Sequence, residues 1–73
     1  MSAVVAIGEH VRLAGYALAG VDVRAAEDAA AARQAWEELS EEVACVILTP
    51  ASRASLGDLL PERPRTVWAV VPA

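Results

Sequence analysis

Ala3-Val4-Val5-Ala6-Ile7-Gly8 opens the chain, and Gly20-Val21-Asp22-Val23-Arg24-Ala25 follows after the segment Glu9 to Ala19. Each flanking run is apolar enough and short enough to be a strand. The segment between them is amphipathic, carries Gly15, and ends at Gly20. Two parallel strands need a crossover of at least roughly ten residues, which Glu9 to Ala19 supplies. The opening is therefore read as the shortest form of a strand, helix and parallel strand.

Downstream, Val21, Val23 and Ala25 alternate with Asp22 and Arg24, the period-two pattern of a strand with one wet face, which suits a sheet edge. From Glu27 the run Asp28-Ala29-Ala30-Ala31-Ala32-Arg33-Gln34-Ala35-Trp36-Glu37-Glu38-Leu39-Ser40-Glu41-Glu42 is rich in helix formers. Glu27 and Asp28 are expected in its first turn, where the helix dipole favours acids. Ala29, Ala32, Trp36 and Leu39 make its apolar stripe, and Arg33, Glu37, Glu38 and Glu41 its solvated side. Val43 to Thr49 is apolar as far as Leu48 and reads as a central strand buried on both faces. Thr49 and Pro50 then form a helix cap and first helical residue, opening a short helix through Leu56, Leu59 and Leu60 that Pro61 stops. Thr66-Val67-Trp68-Ala69-Val70-Val71 is a last apolar strand, followed by Pro72 and Ala73.

The order of elements is thus strand and helix in alternation, ending on a fourth strand. Right-handed crossovers, buried strands 1 and 3, and an edge strand 2 give the sheet order 2-1-3-4. The expected fold is α/β: one small three-layer domain over residues 1–73, with a four-stranded parallel sheet of the flavodoxin-like half type and three helices. The first helix would cover one sheet face and the other two the opposite face. No further helix follows strand 4 in this sequence, so apolar surface over strands 3 and 4 is expected to lack cover.

Composition narrows the function. The chain has 73 residues, one cysteine, six basic residues that are all arginine, and a net charge of -4. A domain of this size hides only about 60% of its unfolded surface, so it commonly needs a disulfide, a metal or a partner. Cys45 alone permits no internal disulfide and argues against a thiolate metal cage, which leaves a partner. The acidic balance gives no footprint for nucleic acid or for an anionic membrane. No apolar run approaches the roughly twenty residues of a membrane span, and the start lacks a secretory n-region. A cytoplasmic location is expected, with no cofactor, no metal and no catalytic residue.

Glycine placement first suggests a nucleotide loop, but Gly8, Gly15 and Gly20 match neither G-x-G-x-x-G nor the phosphate-loop pattern. Gly15 reads as a helix-to-sheet packing position and Gly20 as a left-handed helix stop. A phosphorelay receiver would need an aspartate ending strand 3 and a lysine after strand 4. Thr49 holds the first place and the chain has no lysine. Cys45, inside a strand, and His10, beyond the end of strand 1, are expected to lie too far apart to act together. If a ligand binds at all, its place is the carboxyl edge between strands 1 and 3, at Gly8, Glu9, His10, Thr49 and Ser52.

The blocks Val5-Ala6-Ile7-Gly8 and Gly15-Tyr16-Ala17-Leu18-Ala19-Gly20-Val21 resemble the start of the F-subunit family of V-type and archaeal-type rotary ATPases. The resemblance continues through Glu27-Asp28-Ala29, Val46-Ile47-Leu48-Thr49 and the closing Val70-Val71-Pro72. Ala17 stands where that family carries a basic residue. The family's C-terminal helix has no counterpart after Pro72. The resemblance implies a non-catalytic rotor component of a proton- or sodium-translocating ATPase, peripheral to the membrane. It would dock on the D-type coiled-coil protein of the rotor stalk and contact the connector to the membrane ring.

Two other readings compete. One is a self-associating scaffold, a homodimer in isolation, because a strand as apolar as Val67, Trp68, Ala69, Val70 and Val71 at a sheet edge invites pairing. Trp68 would then anchor an interface, or else sit in the core. The other is a small-ligand domain using the carboxyl edge.

Overall fold

The computed structural model describes residues 4–72. Strands β1 (Val4–Gly8), β2 (Asp22–Ala25), β3 (Cys45–Leu48) and β4 (Val67–Val70) alternate with helices α1 (His10–Leu18), α2 (Ala29–Glu37) and α3 (Pro50–Ser55). A single 3-10 turn, Leu60–Glu62, precedes β4. All strand pairs are parallel and their order is β2-β1-β3-β4. The expected α/β architecture is therefore the observed one.

Register divides the sheet into two unequal faces. Val5 pairs with Val46 and Val46 with Trp68, while Ile7 pairs with Leu48 and Leu48 with Val70, so these side chains share one face. Against them pack Ala32, Trp36 and Leu39 of the α2 segment and Leu56 and Leu60 beyond α3, forming the main core. On the opposite face lie Val4, Ala6, Cys45, Ile47, Val67 and Ala69. There α1 packs on β1 and β2, and Leu13 is its one buried residue. This second layer is thin, because α1 turns Val11 and Leu18, 86% and 92% exposed, to solvent.

Local chemistry explains where the helices begin and end. Asp28 caps α2 by accepting the Ala31 N–H at 2.8 Å, and Thr49 takes the cap position of α3 with Pro50 as first helical residue. At the end of α1 the Val21 N–H donates to the Tyr16 carbonyl and the Gly20 N–H to that of Ala17, each at 3.1 Å. With Gly20 at φ +90°, this is the Schellman closure that favours glycine. Arg33 ties α2 to the turn after α3, reaching the Ser55 carbonyl and the Asp58 carboxylate, both at 3.2 Å.

Several local expectations are corrected. Gly15 is not a packing position: a Cβ there meets nothing within 4 Å, because it lies on the outer side of α1. The close approach belongs instead to Gly8, against Thr49. Ala29 is exposed and Ala35 buried, since α2 starts at Ala29 and its apolar stripe is set one turn later. Glu27 and Asp28 stand before the helix rather than in its first turn. β3 is buried on one face only, Cys45 and Ile47 being half-buried, because α1 sits over β1 and β2. The third helix stops at Ser55, and Pro61 lies inside the 3-10 turn rather than ending α3.

Candidate functional site

Two surfaces are candidates, and their chemistry differs. The first is the carboxyl edge at the reversal of strand order between β1 and β3, where ligands of open α/β sheets commonly bind. Gly8 ends β1 there, Glu9 precedes α1, and Thr49 and Ser52 flank the start of α3. Four of the expected residues do come together, Gly8 against the Thr49 side chain and Glu9, Thr49 and Ser52 through their polar groups. The Thr49 hydroxyl donates to Glu9 Oε1 at 2.6 Å, and the Ser52 hydroxyl lies 3.2 Å from it. With the single Thr49 proton given to the carboxylate, Ser52 is left to donate.

This contact controls the charge of Glu9. The Thr49 hydroxyl, then the residue's own backbone N–H, lower its carboxyl from the usual value; burial opposes them, and the Arg12 guanidinium adds a lesser lowering effect. Arg12 Nε stands 3.4 Å from Glu9 Oε2. His10 takes no part through its ring: it is exposed, and only its backbone N–H is engaged, donating to Glu27 Oε2 at 2.9 Å. Glu27 is the residue that sequence reasoning misses here. Its position just past the end of β2 is the available signal, since every residue following a strand of a parallel sheet arrives at the same edge.

Every helix N-terminus at this edge is already served by a side chain of the chain itself: α1 by Glu27, α2 by Asp28 and α3 by Thr49. Those N–H groups are what would attract a phosphate. The adjoining cleft, lined by Glu9, Glu27, Asp28 and Ser52, holds only about 80 Å³ and presents three carboxylates. A pocket for a drug-sized or nucleotide-sized ligand is several times larger, roughly 300–1,000 Å³. Among the described residues no group of three or more histidine, cysteine or acidic side chains is placed to hold a metal. Cys45 and His10 lie at opposite ends of the sheet, since Cys45 pairs with Val4 while His10 follows Gly8. That is a separation of about 13 Å or more along β1.

The second surface is β4 and the sheet face beside it. Every residue of Val67–Val70 is exposed, Val67 at 67%, and Val71 is half-buried. Trp68 is not core: it remains 37% exposed, with the Arg53 guanidinium over its ring at 5.3 Å. Val67 and Ala69 continue the apolar face of Cys45 and Ile47. Among the described residues the strand is also an edge, bonded to β3 alone. No helix of the described residues is long and apolar enough to cross a membrane. Comparison with protein families, with curated proteins and with solved structures finds no match to this chain.

Proposed function

We propose that the chain is a non-catalytic docking domain whose working surface is the sheet face over β3 and β4. Within that reading it is a central-stalk component of a V-type or archaeal-type rotary ATPase, seated on the D-type coiled-coil protein of the stalk. The observation that carries the docking role is the apolar face of Cys45, Ile47, Val67 and Ala69, left half-covered or open beside the thin α1 layer. A small domain gains most from a partner where its own second layer is incomplete. Exposed apolar area of this kind marks association sites.

The stalk assignment rests on the resemblance of the Gly15 to Val21 block. What supports it further is that the core asks little of those residues: Gly15, Ala17, Leu18 and Ala19 are all exposed. Catalysis has weaker support, because the carboxyl edge spends the Glu27 and Asp28 carboxylates on helix N-termini and the Glu9 carboxylate on the Thr49 hydroxyl. Co-expression with the coiled-coil stalk protein of the same organism tests the assignment. The two are expected to co-purify at one to one, and two folded proteins that elute separately would remove it.

A further inference from the structure

We propose that the free edge of β4 is a docking site for an extended segment of another protein in which acidic residues alternate with apolar ones. Two independent observations lead there, one from the main chain and one from charge. They go beyond the apolar face invoked for the stalk role.

Among the described residues, the main chain of β4 is open on one side. Val67 donates to the Ala44 carbonyl at 3.0 Å and Val71 to that of Leu48 at 2.9 Å. Because N–H and C=O alternate sides along a strand, Val67, Ala69 and Val71 face β3, and Trp68 and Val70 turn their N–H and C=O groups outward. An added strand would bond to these two residues, the mode of β-augmentation.

Charge selects the occupant. Arg12, Arg24 and Arg33 are held by Glu9, Asp22 and Asp58. Among the described residues, Arg53, Arg63 and Arg65 have no carboxylate in ion-pair range and border β4 or the turn leading into it; the Arg63 guanidinium is engaged by the Leu39 and Ser40 carbonyls at 2.7 and 3.3 Å, while that of Arg53 lies over Trp68. Arg53 lies over Trp68, and Arg53, Arg63, Leu60, Pro64 and Trp68 line an open groove of about 510 Å³ beside the strand. In a chain of net charge -4, half the basic residues thus gather around one edge without a carboxylate partner.

The two faces of the edge differ, which sets the pattern of the guest. On the Trp68 side an added strand meets the Arg53 guanidinium, with Arg65 in the turn just before the strand, so alternate acidic residues are matched there. On the Val67 and Ala69 side it extends an apolar sheet face, so the intervening residues are apolar. A second copy of this chain fits poorly, because antiparallel pairing of β4 with itself would bring the two Arg53 guanidinium groups, each over its Trp68, onto the same face.

The test uses the full chain labelled with ¹⁵N and an end-capped peptide alternating glutamate and valine, N-methylated along one edge so that it can pair with one strand only. A peptide with lysine in place of glutamate is the control. Amide shifts at Trp68 and Val70 are expected to exceed those at Val67 and Ala69, and the lysine peptide to bind roughly tenfold more weakly, from reversal of several surface charge pairs. Arg53→Glu, at an exposed position, should erase or invert that preference. Equal affinity for both peptides, shifts centred elsewhere, no shift at millimolar peptide, or β4 self-pairing that the peptide does not displace would each overturn the proposal. Since this measurement needs no stalk protein, its failure leaves the co-purification result standing, and the reverse holds too.

Discussion

Gly8 and Thr49 lie so close that no side chain fits between them: a Cβ built on residue 8 falls inside contact distance of the Thr49 Cβ, Cγ2 and Oγ1 atoms. The pair fixes how β1 and β3 leave the sheet together. It also places the Thr49 hydroxyl where Glu9 can accept from it.

The glycines therefore separate by mechanism in a substitution series. Gly8→Ala is expected to cost about 1–3 kcal/mol through overpacking against Thr49. Gly20→Ala should cost about 1 kcal/mol, because its φ of +90° is unfavourable to a side chain. Gly15→Ala should stabilise by up to about 1 kcal/mol, since the position is helical and open. Urea midpoints of the three variants decide the order, and a destabilised Gly15→Ala would show that the outer face of α1 is packed in solution.

Acid should weaken the fold through Glu9. Its folded pKa is lowered, chiefly by the Thr49 hydroxyl, so its contribution is fully present above the ordinary glutamate value of about 4.3 and is lost as pH falls through the folded value. Titration of the Glu9 carboxyl carbon by NMR should show a midpoint below the ordinary range in the parent chain. Thr49→Val should move it upward. An unchanged midpoint in that variant would mean that the hydroxyl is not the cause.

Much of this arrangement is legible in the sequence, for reasons particular residues make plain. Strand order follows from the unbroken apolar run Val46-Ile47-Leu48 against the alternating Asp22-Val23-Arg24, which places one inside and the other at an edge. Thr49-Pro50 announces a helix start because capping is local chemistry. Gly15 misleads, because a glycine within a helix carries no sign of which side faces the sheet, and here the answer depends on Leu13 alone anchoring α1. The Glu9 and Thr49 contact joins residues forty positions apart, and pairing at that range is set by register rather than by any local pattern. The coverage of β3 escapes the sequence for a similar reason, since an apolar strand reads the same whether one or both of its faces are packed.

The two tryptophans should respond differently. Trp36 is 3% exposed in the main core, so Trp36→Ala should cost about 3–5 kcal/mol, enough to unfold much of a small domain. Trp68 is the more accessible ring and carries Arg53 over its face. In a Trp36→Phe chain, fluorescence from Trp68 should be quenched readily, and more by iodide than by an uncharged quencher. Quenching of Trp68 no greater than that of Trp36 in a Trp68→Phe chain would place Trp68 in the core after all.

Cys45 offers a probe of the proposed docking face. It is half-buried beside Val67 in the register of β3 and β4. Its thiol should react slowly with an aromatic disulfide reagent in the isolated chain, and become protected once a partner covers the face. Unchanged reactivity in a purified complex would put the partner elsewhere.

On the docking proposal, this domain works through the sheet face over β3 and β4 and not through the carboxyl edge. Co-purification with the coiled-coil stalk protein, compared between Val67→Glu and Glu9→Gln, separates the two surfaces. Val67→Glu is expected to abolish the complex while Glu9→Gln leaves it intact. Retention by Val67→Glu, with loss in Glu9→Gln, would contradict the docking role of the β3 and β4 face.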